Sequence, residues 1–379
     1  MRFIMLRRPI LTGILCALTT GISPSHAHEA ALSVGGSYVA DILAVADGGA
    51  RRGSAWLARA DVWADLDGAA LSLPGVTFHA DLVATHGPDL SGSRVGDFQT
   101  VSNVQADTVP HLYEAWAEWQ LAPGLAAKAG LVDLNSEFDV QEVGALFLNS
   151  AHGIGPEFSQ SGVNGPSIFP MMASAVIARI GGGQGPQVRL GLFDAVAGSR
   201  NDPRRTALRL PGQTGALVVG EIELPLGKGE VQLGAWHYSR RQEALTPGQP
   251  RAPSRGAYVM VEGPLKEHLS GWVRIGTADG RANPVTSYLG AGMVLDWRGW
   301  QLGTAVAHAR AGSAARRTLL PAGKAASAET AIEWTAAHNL TAWMSVQPDV
   351  QYVINPGWDP ALPDALVVGM RISLGWPAG

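Results

Sequence analysis

The feature that most constrains this chain is a two-residue period in polarity. Successive side chains of an extended strand point to opposite faces, so strict alternation marks a sheet with two different neighbours. From Ala55 to Asp67 one face reads Trp56, Ala58, Ala60, Val62, Ala64 and Leu66, while the other reads Leu57, Arg59, Asp61, Trp63, Asp65 and Asp67. Between Leu112 and Leu121, Tyr113, Ala115, Ala117, Trp119 and Leu121 oppose Glu114, Trp116, Glu118 and Gln120. Leu340 to Gln347 reads as another such strand, and Leu366, Val368, Met370, Ile372, Leu374 and Trp376 share the apolar face of the last.

Alternation alone fits both a β-sandwich and a barrel in lipid. The strand lengths, about 8–13 residues, suit a tilted bilayer crossing. Aromatic residues near strand ends, Trp56, Tyr113, Trp119, Trp334 and Trp376, read as interfacial girdles. Short Gly-rich joins at Gly181-Gly182-Gly183, Pro225 to Gly229 and Asp296 to Gly299 alternate with longer polar stretches around 88–108, 198–212, 242–255 and 311–325. That asymmetry is expected of outer-membrane barrels, whose periplasmic turns are short and outer loops long. The reading is an all-β chain, a transmembrane antiparallel β-barrel of about sixteen strands.

The N-terminus sets the compartment. Arg2, Arg7 and Arg8 precede an apolar run from Pro9 to Ile22 that closes on Ser25-His26-Ala27, the pattern of a cleavable secretory signal over residues 1–27. A single barrel domain is expected over 28–379. Cys16, the only cysteine, falls inside the signal, so no disulfide stabilises the exported chain. Removing the signal leaves 25 basic against 32 acidic residues, a balance that points to no nucleic-acid partner. No further apolar run has the length of a membrane-spanning helix, and 47 glycines argue against long helices.

Three separated stretches carry a family likeness. They are Gly96-Asp97-Phe98-Gln99 with Val101-Ser102-Asn103 and Leu112 to Trp116; Ser136 to Asp139 with Gly144 to Ser150; and Gln347 to Gly357. Together with Gly256-Ala257-Tyr258 and Val273 to Gly276 they span the chain in order. In these stretches the sequence resembles the carbohydrate-selective porins of the OprB type. The resemblance implies a sixteen-stranded barrel in the outer membrane, reached through the periplasm, that passes small saccharides by diffusion without cofactor or energy source. Outer-membrane lipid is the implied neighbour, and association into a homo-oligomer is left open.

A sugar is neutral and polyhydroxylated, so a selective pore needs charged hydrogen-bonding groups beside aromatic faces. The polar faces supply pore-lining candidates in Arg59, Asp61, Trp63, Asp65, Glu114, Trp116, Glu118, Trp272 and Arg274. Any of them can equally serve only to solvate a generic polar lumen. Ser136 to Asp139 reads as a loop or short helix that braces the wall or narrows the pore, ahead of a ligand site. A general or cation-preferring porin is the alternative within transport. An outer-membrane hydrolase or an adhesive barrel is the alternative outside it. For catalysis only Ser150 and His152 stand close in sequence, with no third orienting group in view. There is no His-Glu-x-x-His, cysteine cluster or phosphate-binding glycine loop, so no catalytic, metal or cofactor residue is assigned.

Overall fold

A computed structural model describes residues 31–199, 202, 206, 208–210, 212–319 and 325–376. The expected signal segment and the three residues after Trp376 lie outside them. Sixteen strands follow one another: β1 (Leu32–Asp47), β2 (Gly53–Asp67), β3 (Val76–His86), β4 (Pro110–Ala122), β5 (Leu125–Val132), β6 (Ala173–Gly181), β7 (Gln187–Asp194) and β8 (Ala216–Leu226). The second half comprises β9 (Gly229–Tyr238), β10 (Arg255–Lys266), β11 (Leu269–Ala278), β12 (Val285–Trp297), β13 (Trp300–Ala311), β14 (Ala328–Thr341), β15 (Met344–Ile354) and β16 (Ala365–Trp376). Each pairs antiparallel with its neighbours in sequence, and β16 returns to β1, from Gly36 opposite Trp376 to Ala44 opposite Val368. Closure removes the two sheet edges, whose unpaired N–H and C=O groups lipid cannot satisfy.

The alternation sorts side chains as expected. Ile42, Val62, Leu82, Leu190, Ile275 and Trp334 point outward and lie open, while Asp41, Glu221, Arg274, Glu333 and Gln351 point inward and are buried. At one end of the barrel the joins are short, as at 227–228, 267–268 and 298–299. Arg298 (φ 50°) and Gly299 (φ 82°) both take left-handed backbone there, the conformation a two-residue hairpin of matching twist requires. At the other end the connections run through 87–109, 133–172, 195–215, 239–254, 279–284, 312–327 and 355–364.

Three details differ from the sequence expectation. Trp334 faces outward but lies in the middle of β14, not near a strand end. Tyr113 does not belong to an interfacial girdle. A bulge between Asp81 and Leu82 of the β3–β4 register puts Tyr113 and Glu114 together on the inner side, where both are buried. The segment from Leu340 to Gln347 is two strands, because β14 ends at Thr341 and β15 begins at Met344. A register shift between Asn339 and Thr341 precedes the turn, and Trp343 lies open beside it.

Candidate functional site

Two of the long connections, 87–109 and 133–172, fold down into the barrel. Backbone taken off the surface needs a partner for every N–H and C=O, and the inner wall supplies them. Glu262 of β10 accepts the N–H groups of Glu142 and Val143, both at 2.9 Å. Glu333 of β14 accepts those of Leu148 and Asn149 at 2.6 and 3.0 Å. Glu329, two inward positions away on the same strand, takes Phe98 at 2.8 Å, Gln99 at 3.0 Å and Gly357 at 2.6 Å. Glu221 of β8 takes Asp139 at 2.8 Å and Glu114 takes Asp133 at 2.9 Å. Glutamines serve the carbonyls: Gln347 donates to Leu146 at 2.6 Å, Gln351 to Val101 at 2.8 Å and Gln232 to Val140 at 2.9 Å. Two carboxylate oxygens match two consecutive N–H groups, and charge makes these bonds stronger than neutral ones.

One guanidinium fastens the larger loop. Arg274 of β11 donates from Nε and Nη2 to the two oxygens of Asp139, each at 2.6 Å, and from Nη2 and Nη1 to Glu157 at 2.8 and 3.2 Å. All three side chains are fully buried. The rings of Tyr258 and Tyr288 lie 4.9 and 5.4 Å from the guanidinium carbon. Trp272 packs two residues earlier against Phe147 of the loop. Arg274 and Trp272 therefore face the lumen in phase, as the sequence predicts, but lie beneath the loop and do not border open water. Ser150 and His152 form a helical turn of the same loop, inside the barrel, so they cannot make a hydrolase centre on its outer wall. Burial pushes the imidazole of His152 down to about 3, which keeps it neutral.

The opposite wall, β2 to β4, stays less covered. Register places Asp65, His79 and Trp116 in one row and Trp63, Asp81 and Glu114 in the next. His79 stacks on Trp116 at 4.8 Å between ring centres, and its Nδ1 lies 2.7 Å from Asp65. The Lys128 ammonium sits 3.9 Å from the centre of the Trp116 ring, on the opposite partner strand β5. Trp63 rests on Gly35 of β1, where an added Cβ would meet the indole at 2.5 Å. Below this platform Glu118, Lys128, Glu137 and Arg179 form a balanced set of two acids and two bases. Burial alone would raise the Glu137 carboxyl, but Lys128 and Arg179 outweigh it and hold the group below its ordinary range.

Toward the long-loop end Arg59 pairs with Asp61 (2.6–3.1 Å) and lies 4.5 and 4.6 Å from the rings of Tyr113 and Phe169. Seven of the nine candidates are thus gathered on adjoining strands, while Trp272 and Arg274 belong to the far wall. His79, Asp81, Lys128 and Arg179 were not among them. Thr77, His79, Asp81 and Thr85 alternate with Phe78, Ala80, Leu82 and Ala84, so the polar face of β3 was readable by the same rule.

The family model of the carbohydrate-selective porin, OprB family, matches residues 51–375. The chain belongs to this family. Comparison with curated proteins returns no significant match. Among solved structures, this porin superposes on the high-pH form of Pseudomonas putida OprB with a TM-score of 0.79 at 18% identity, covering 91% of this chain and 94% of that one. The low-pH form gives 0.58 at 16% identity, covering 91% and 93%. A loop L8 deletion mutant of OmpT, an outer-membrane protein of Vibrio cholerae, gives 0.54 at 11%, covering 91% and 99%. At such identities these likenesses concern the fold.

The porin lies in the outer membrane, with its short-turn end periplasmic and its long loops outside. The Trp63, His79 and Trp116 platform accordingly occupies the periplasmic half of the lumen. Arg59 with Tyr113 and Phe169 occupies the outer half.

Proposed function

We propose that this porin passes small neutral saccharides by facilitated diffusion and that the β2–β4 wall binds the sugar in transit, without chemical conversion. The observation that carries the reading is the aromatic platform Trp63–His79–Trp116 set among charges of both signs. The part-exposed Trp63 indole takes the apolar side of a sugar ring, while Asp65 beside it offers acceptors to its hydroxyls. On the far wall the glutamates turn their oxygens to loop amides and lie buried beneath the loop, where a passing ion does not meet them directly.

Liposome swelling with the refolded porin tests this, comparing glucose, a disaccharide and a charged amino acid of similar size. Faster swelling with the sugars is expected. Rates ordered by solute size alone would make the protein a general porin.

A further inference from the structure

The outer rim over β9–β14 carries an excess of basic residues. Its three connections, 239–254, 279–284 and 312–327, contain seven basic residues against two acidic ones in a chain of net charge −4. The connection 355–364 on the other side of the rim carries Asp359 and Asp364 and no basic residue. Between the three basic connections lies a cleft of about 460 Å³, lined by Arg241, Arg251, Arg281 and Arg317 with Thr246 and Thr286. Only two of these arginines are paired with carboxylates, Arg251 with Glu243 and Arg281 with Asp279, each still largely open to water. Arg241 donates to the Arg251 carbonyl, and Arg317 has no carboxylate partner among the described residues.

The basic character continues down the lipid-facing wall. Arg255 on β10 and Arg310 on β13 alternate with the inward Tyr258 register and with buried Ala309, and both are exposed. Thr286 joins cleft to wall, since it lines the cleft and its hydroxyl donates to the Arg310 carbonyl at 3.4 Å. Arginines facing lipid at mid-depth are strongly unfavourable, whereas at the headgroup level they meet anionic groups. A cleft of this volume holds a phosphate together with an attached sugar ring.

We propose that this edge docks the phosphorylated headgroup of a saccharide-based lipid of the outer leaflet. Arg241, Arg281 and Arg317 bind phosphate in the cleft. Arg255 and Arg310 flank it at the membrane surface. The lumen and its sugar wall take no part.

Native mass spectrometry of the full folded porin in detergent decides the matter, titrating a phosphorylated glycolipid and the same lipid after phosphatase treatment. Retention of the phosphorylated form alone is expected, weakened by salt. Arg281→Gln with Arg317→Gln should lower it about tenfold, while Arg51→Gln with Arg52→Gln, on another outer loop, should leave it unchanged. Equal retention of the dephosphorylated lipid, or an equal loss in the Arg51 and Arg52 variant, would overturn the assignment. So would binding of inorganic phosphate with the same arginine dependence but no retained lipid, which would make the cleft a free-anion site.

Discussion

Trp116-x-Glu118 on β4 and Trp272-x-Arg274 on β11 have the same spacing, the same inward phase and the same mixture of indole and charge. Trp116 remains half-buried with its ring stacked on His79, whereas Trp272 is only 2% exposed. The contrast lies in what covers them. The loop 133–172 lies against β8 to β14, where Glu221, Glu262 and Glu333 receive its amides, and touches β4 through Glu114 and Tyr113, yet it leaves Trp63, Asp65 and Trp116 only partly covered. Alternation settles which face of a strand is inward. It does not settle which inward faces meet solute and which are used to seat the loop.

The sharpest way to break that contrast is to release the loop. Arg274→Ala leaves Asp139 and Glu157 buried without their cation and should destabilise the seated loop by about 3–5 kcal/mol. Planar-bilayer recordings should then show larger, noisier conductance, and protease should cut within 133–172 in the folded barrel. Combining Arg274→Met with Asp139→Asn and Glu157→Gln should restore much of the quiet state, since the uncompensated charges are gone.

On the freer wall Trp63→Ala should weaken sugar block of the ion current about fivefold, on the order of 1 kcal/mol of ring contact. Trp272→Phe should leave that block unchanged while lowering thermal stability. An equal loss of block in both variants would erase the distinction between the walls. Glu262→Gln replaces one of two acceptor oxygens with a donor facing an N–H, at a cost of about 1–2 kcal/mol. Faster amide exchange confined to Glu142 and Val143 is the expected readout. The smallest effect belongs to Gly35→Ala, whose Cβ displaces Trp63 by overpacking worth about 1 kcal/mol and should change sugar block roughly twofold.

Most of the barrel was legible because it rests on local rules. The inward set Arg59, Asp61, Trp63 and Asp65, the hairpin at Arg298-Gly299 and the outward row ending at Trp376 each follow from neighbours a few residues away. Tyr113 escaped because one extra residue in a bulge reverses the phase, and nothing in an alternating string marks where that residue goes. The seat of the loops escaped for a different reason. Phe98 and Glu329 are 231 residues apart, Leu148 and Glu333 are 185, and a carboxylate bound to a backbone amide prescribes no residue type at the amide. Ser136 to Asp139 was legible as a bracing element, yet Arg274 as its partner was not, because on β11 it looks like any lumen charge.

The wall glutamates grip main chain, so this hold does not itself depend on the side chain at the position held. At positions 98, 99, 142, 143, 148 and 149 any residue except proline can present the N–H that Glu329, Glu262 and Glu333 take. The scaffold is in this sense a socket indifferent to lettering. Substitutions of the exposed Glu142 can reshape what a passing solute meets while the loop stays seated, and a proline at any of the six would unseat it without altering a single wall residue.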